Sequence, residues 1–144
     1  MESLRIMKRT YIDANVLIAA FQGGEDVSRR ALEVLDDPNR ELVVSDFLRL
    51  EVLPKPRFHK RAEEVEFMKA VLNNAAENVP CNPDVTKKAI ELASTYDVAP
   101  MDALHAGAAL AAKVDEFLTM EKPSKPICKI KEMNVTSLYV EPNP

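Results

Sequence analysis

Three glycines in 144 residues, Gly23, Gly24 and Gly107, are too few and too scattered to build a phosphate-cradling loop or a dinucleotide fingerprint, so nucleotide cofactors are not expected. The two cysteines, Cys81 and Cys128, lie far apart with no paired spacing, which suits reduced structural thiols in a cytosolic protein better than a disulfide framework. No apolar run approaches membrane-spanning length, and Met1-Glu2-Ser3-Leu4-Arg5-Ile6-Met7-Lys8 carries an early acid and no continuous apolar core of a signal peptide. A cytoplasmic protein without a membrane partner is the expectation. Positive charge is also short: the net charge of -4 argues against a simple nucleic-acid-coating protein. It leaves room for a nuclease, because clustered metal-binding carboxylates lower the sum while basic residues remain around them. Repeats and low-complexity tracts are missing too, and 141–144 reads as a frayed tail. The length suits one domain, 1–144, able to bury a core without staples.

What is present is organised around Lys8-Arg9-Thr10-Tyr11-Ile12-Asp13-Ala14-Asn15-Val16-Leu17-Ile18, a β-branched and aromatic run that ends on a carboxylate and turns helical. It reads as the central strand of a sheet with Asp13 at its C-terminal tip. Ligands of parallel sheets bind just beyond the carboxyl ends of the strands, so an acid there faces solvent, substrate or metal. Capping of the next helix by Asp13 or Asn15 accounts for the same residues equally well.

Helical spacing continues over 16–21, stopped by Gln22-Gly23-Gly24, and over 26–37, ended by Pro38. A short strand at 41–44 precedes a helix at 46–53 capped by Ser45 or Asp46. That helix sets Glu51 on its apolar face between Phe47 and Leu48, where a carboxylate requires a cation partner or a metal. Pro54 and Pro56 are expected to end the helix and lead into a basic turn with Lys55, Arg57, His59, Lys60 and Arg61. Such a turn is either a solvated face or a grip for a phosphate backbone. A helix over 59–74 follows, then a proline-interrupted edge strand at 79–81. The helix expected over 83–96 turns Val85, Ala89, Ile90, Leu92 and Ala93 inward.

The segment 100–113 is apolar almost all round and so reads as a helix buried against the sheet. Asp102 and His105 lie in its first turns, Asp102 favoured as an anion by the macrodipole and His105 as a support for it. Capping accounts for Asp102 without a metal, and a hydrogen-bonded core histidine accounts for His105 without catalysis. A strand at 116–121 ends on Glu121, repeating the placement of Asp13, and a last strand is expected at 135–140. The alternation of strands and helices predicts an α/β fold with helices on both faces of a central, mainly parallel sheet of four to five strands.

Four stretches together resemble the PIN domain superfamily, and within it the VapC-like toxin ribonucleases. They are Tyr11-Ile12-Asp13-Ala14-Asn15-Val16-Leu17-Ile18, Ser45-Asp46-Phe47-Leu48-Arg49-Leu50-Glu51-Val52-Leu53, Met101-Asp102-Ala103-Leu104-His105-Ala106 and Phe117-Leu118-Thr119-Met120-Glu121. The resemblance implies a three-layer α/β/α PIN-like fold and one or two divalent cations, Mg²⁺ or Mn²⁺, held by Asp13, Glu51, Asp102 and Glu121. Asn15 and Thr119 would support those ligands. It departs from the family at Glu121, where aspartate is commonest, and at Lys122-Pro123-Ser124-Lys125-Pro126, which lacks the usual aromatic.

The chemistry is consistent with the residue types. Gathered carboxylates repel and raise one another's pKa, and a hard cation lets them ionise side by side. The function that the resemblance implies is a metal-dependent endoribonuclease, the toxin of a type II toxin–antitoxin pair. Its partners would be an RNA substrate gripped by Lys55, Arg57, Lys60 and Arg61, and a cognate antitoxin, with a homodimer as the assembly. The other reading is a stand-alone PIN-fold RNA-binding or interaction module with weak or no catalysis. An aspartyl-phosphate phosphatase would need a second acid where the chain has Asn15.

Overall fold

Strand β1 (Lys8–Ile12) alternates its side chains between two apolar layers, and this alternation builds the molecule. Tyr11 packs on one face with Val43 and Phe117, whereas Ile12 packs on the other with Val44 and Leu118; all six are fully buried. A computed structural model describes residues 7–141. The tail expected at 141–144 lies, apart from Glu141, outside the described residues, as does most of the N-terminal stretch read for a signal peptide.

After β1 come α1 (Ala14–Gln22), α2 (Glu25–Leu35), β2 (Arg40–Ser45), α3 (Asp46–Val52), α4 (Pro54–Phe58) and α5 (Ala62–Asn73). The chain continues through β3 (Glu77–Val79), α6 (Pro83–Tyr96), α7 (Pro100–Ala111), β4 (Glu116–Thr119), a 3₁₀ turn (Pro126–Lys129) and β5 (Val135–Ser137). The five strands form one sheet in the order β3-β2-β1-β4-β5, with every pairing parallel. The three-layer α/β/α architecture expected from the alternation is therefore present.

The order explains the layering. The chain steps outward from β1 to β2 and β3, then returns across the sheet to β4 and β5. Crossovers keep one hand, so reversing direction sends the connecting helices to the opposite face. The cluster around Ile12, Val44 and Leu118 accordingly includes α1, α2 and α5, whereas that around Tyr11, Val43 and Phe117 includes α6 and α7. Helices α6 and α7 approach closely at Gly107, where an added Cβ would lie 2.9 Å from the carbonyl oxygen of Val85. The reversal also puts a topological switch point between β1 and β4.

Several expectations are corrected. Pro54 and Pro56 do not lead into an open turn: Pro54 starts the short helix α4, since proline suits the first helical turn, where its missing N–H costs nothing. Helix α5 starts at Ala62 rather than at 59, because Lys60 takes a left-handed φ of 55° and breaks the chain direction. The edge strand lies at Glu77–Val79, ahead of Pro80, which cannot donate to a ladder. Ile90 is 62% exposed rather than inward. Among the described residues no helix is long and apolar enough to cross a membrane.

Candidate metal centre

Asp13 follows β1 at the switch point and is both strand-tip acid and helix cap. Its Oδ1 accepts from the Ala14 N–H at 2.8 Å, and its Oδ2 accepts from Thr119 Oγ1 at 2.8 Å. The two readings were never exclusive, since each oxygen keeps a second lone pair. The Thr119 hydroxyl that ends β4 also accepts from Asn15 Nδ2 at 3.2 Å and from the Glu121 N–H at 3.1 Å. Asn15 Oδ1 takes the Met120 N–H at 2.9 Å. Asn15 and Thr119 thereby lace the end of β1 to the segment that carries Glu121.

Glu121 itself stands two residues beyond the end of β4, not at the strand tip, and is half-buried. The carbonyl oxygen of Glu121 accepts from Ser137 Oγ, so β5 helps to hold the segment.

Glu51 comes off α3 at the rim, its side chain one-third exposed rather than buried in an apolar face. It accepts from His105 Nε2. His105 is thus a support for Glu51, not for Asp102 as expected, because α7 packs with the imidazole toward α3. His105 is fully buried, and its Nδ1 lies 2.6 Å from Tyr11 Oη, which lies 2.5 Å from Ser45 Oγ.

Ser45 is the N-cap of α3, its Oγ accepting from the Leu48 N–H at 3.1 Å. One direction satisfies every group in this chain. Leu48 N–H donates to Ser45, Ser45 to Tyr11, Tyr11 to His105 Nδ1, and His105 Nε2–H to Glu51. Burial pushes the Tyr11 phenol well above its ordinary range, with the charges of Asp13 and Glu51 adding to the shift, so it remains a donor. The chain therefore starts at the N-terminus of α3 and ends on an acid of the same helix. Sequence reading found Ser45 as a cap and missed Tyr11; the available signal was a phenol inside a central strand, which needs a buried partner.

The electrostatics join the four acids. Burial, joined by the charge of Asp102, pushes the Asp13 carboxyl up from 3.8 to about 6, against the pull of His105, Thr119 and Ala14. Burial also raises Asp102, with Glu121 and Glu51 adding to it and His105 opposing. The macrodipole expected to favour an anionic Asp102 is outweighed by desolvation and by its acidic neighbours. The same field reaches Cys128: burial raises its thiol first, followed by the charges of Glu121, Asp13 and Asp102.

Asp13, Glu51, Asp102 and Glu121 thus share one region at the carboxyl edge of the sheet, and their oxygen-only donor set suits a hard cation such as Mg²⁺ or Mn²⁺. Among the described residues no three His, Cys, Asp or Glu side chains stand ready-made as a group that could hold a metal ion. The donor chemistry fits; a finished cage is not preformed. The phosphatase alternative loses ground, since Asn15 is engaged with Thr119 and Met120.

Lys55, Arg57, Lys60 and Arg61 all lie exposed on or just after α4. Glu51, Lys55, Pro56 and Arg61 share the walls of a hollow of about 270 Å³. The basic segment therefore adjoins the acidic edge directly.

The model of the PIN domain family matches residues 10–122. No curated protein matches the chain. Among solved structures, a toxin–antitoxin complex from Klebsiella pneumoniae contains a chain 20% identical to this one, with a TM-score of 0.70 over 90% of this chain and 98% of the other. VapBC2 from Rickettsia felis, bound to a DNA fragment from its promoter, gives 16% identity and a TM-score of 0.69 over 90% and 98%. DNA-bound VapBC from Salmonella typhimurium gives 12% identity and a TM-score of 0.65 over 91% and 98%. At these identities the likeness is one of fold.

Proposed function

This chain belongs to the PIN domain family, and from that premise we propose that it is a divalent-metal-dependent endoribonuclease. The observation that carries the proposal is the gathering of four acids at the switch point of a parallel sheet, where burial raises Asp13 and Asp102, Asp102 adds to the rise of Asp13, and Glu121 and Glu51 add to that of Asp102. A protein gains no stability from crowding carboxylates in this way, so a cationic occupant is the economical explanation.

Asp13, Glu51, Asp102 and Glu121 would hold Mg²⁺ or Mn²⁺. Bound there, the cation would make a water molecule more acidic and neutralise charge developing on the scissile phosphodiester. The chain's own residues do the positioning. Thr119 and the Ala14 N–H orient Asp13, the Tyr11–His105 chain orients Glu51, and Asn15 ties down the segment bearing Glu121. Lys55, Arg57, Lys60 and Arg61 would neutralise backbone phosphates of the RNA as it enters past Glu51.

The toxin role draws on the solved structures with the same fold, which are toxin–antitoxin assemblies; a cognate antitoxin and a homodimer belong to the same proposal. Calorimetric titration with Mn²⁺, paired with cleavage of RNA by wild type and Asp13→Asn, tests the site. Saturable Mn²⁺ binding and metal-dependent cleavage, both weakened in the variant, are expected. A protein that binds no Mn²⁺ at millimolar concentration would instead be the non-catalytic PIN-fold module.

A further inference from the structure

The basic segment carries a feature that phosphate contacts leave unexplained. Phe58, the last residue of α4, is 81% exposed, more than Leu50, Ile90, Phe21 or Ile18, the other large apolar side chains open to solvent among the described residues. A lone exposed aromatic is unremarkable on a loose loop. This one is mounted on a braced element. Buried Leu53 and Pro56 anchor α4 in the protein, the Arg61 N–H donates to the Pro56 carbonyl at 2.8 Å, and the His59 N–H donates to that of Lys55 at 3.1 Å. The His59 ring meets Phe58 edge-on, with centroids 5.0 Å apart and planes at 89°.

The surroundings are cationic. Segment 54–61 contains Lys55, Arg57, Lys60 and Arg61 and no acid. Among the described residues, Arg61 is the one of these four in an ion pair, with Glu64 at 3.6 Å. A ring mounted on a braced helix beside Lys55, Arg57 and Lys60, three cations in no ion pair among the described residues, suits a polyanion that also presents flat π-faces.

We propose that Phe58 is a stacking platform for an unpaired base of the RNA as it crosses α4. The proposal rests on the nuclease reading and adds to it a residue that holds a base rather than a phosphate. In a duplex both faces of each interior base are already stacked, and an aromatic side chain finds none free; in a single strand or loop the base can turn onto the ring. The hollow walled in part by Lys55 and Arg61 also includes Glu51, one of the four acids, so the segment that carries Phe58 borders the proposed site.

Fluorescence anisotropy in metal-free buffer separates this from cleavage, using a labelled mixed-sequence oligoribonucleotide as a single strand and annealed into a duplex. Phe58→Ala should weaken single-strand binding about tenfold, leave duplex binding unchanged and leave the salt slope intact, since no phosphate contact is lost. Phe58→Trp should retain affinity, and its indole emission should be quenched by the single strand. Equal losses on both RNA forms, or no loss on either, would overturn the platform, as would a change in mass by light scattering in Phe58→Ala, which would make Phe58 a protein contact. If wild type binds neither RNA, the nuclease reading falls with it. If wild type binds and cleaves while Phe58→Ala is indistinguishable from it, the platform alone falls.

Discussion

The two ends of the sheet treat carboxylates in opposite ways. At the amino end, Glu116 is nearly inaccessible, yet its Oε1 accepts from Arg40 Nε at 2.6 Å and from Thr10 Oγ1 at 2.9 Å, with Lys8 3.9 Å from Oε2. Nearby, Arg9 spans Glu41 at 3.0 Å and Glu77 at 2.6 Å. At the carboxyl end, Asp13 is equally inaccessible, but hydroxyl and amide groups hold it, and burial joined by the charge of Asp102 pushes its pKa upward. The amino end is a set of acids matched to cations of the same chain. At the carboxyl end, among the described residues, Asp13, Glu51, Asp102 and Glu121 form no ion pair with a lysine or arginine, and the proposed Mg²⁺ or Mn²⁺ would be their cation. Burial alone does not separate a structural acid from a functional one; its partner does.

Breaking the matched end should cost the most stability. Arg40→Ala leaves Glu116 buried without its main partner, and thermal or urea unfolding should show a loss of about 3 kcal/mol. At the unmatched end Asp13→Asn should do the reverse: stability at neutral pH equal to or above that of the metal-free wild type, with cleavage down about 100-fold, or about 2.7 kcal/mol in barrier. A destabilised Asp13→Asn protein would remove the contrast between the two ends.

A pH series sharpens the same comparison. In the folded chain Asp13 titrates near 6, against 3.8 as its ordinary value. Between those values the native state keeps a proton that the unfolded chain has released, so this carboxyl lowers stability as pH rises and its penalty is complete above about 6. The stability of metal-free wild type relative to Asp13→Asn should therefore fall from pH 4 to pH 6.5 and then level off. Added Mn²⁺ should abolish the fall at neutral pH by stabilising the ionised wild type.

Smaller effects are expected along the hydrogen-bonded chain. Tyr11→Phe deletes the link between Ser45 and His105, costing about 1 kcal/mol of stability. It should also lower the cleavage rate several-fold with little change in RNA affinity, because Glu51 loses orientation rather than charge. At Glu121, direct ligation predicts that Glu121→Gln weakens Mn²⁺ affinity in calorimetry nearly as much as Asp13→Asn, whereas contact through an ordered water predicts a slight loss of affinity and a larger loss of rate. Variants of Glu121 that bind Mn²⁺ and cleave like wild type would leave a site of three acids.

Much of this architecture was legible from local pattern. The strand ending on Asp13, the cap at Ser45 and the helix Pro83–Tyr96 follow from signals that act within a turn or two of the chain, namely propensity, capping and hydrophobic period, whereas the acids at 51, 102 and 121 were singled out as a set by the resemblance to PIN domains. What only the tertiary structure decided involves partners far apart in sequence. Tyr11 meets His105 across 94 residues, Thr119 meets Asp13 across 106, and Arg40 meets Glu116 across 76. Those pairings depend on the strand order that places β4 beside β1 and on the register of each ladder, which side-chain period alone does not specify. For the same reason the local pattern joined His105 to Asp102, three residues away, while the packing of α7 against α3 joined it to Glu51. Ile90 shows the converse limit: a helical period marks an apolar face, but whether that face is covered depends on the width of the neighbouring helix.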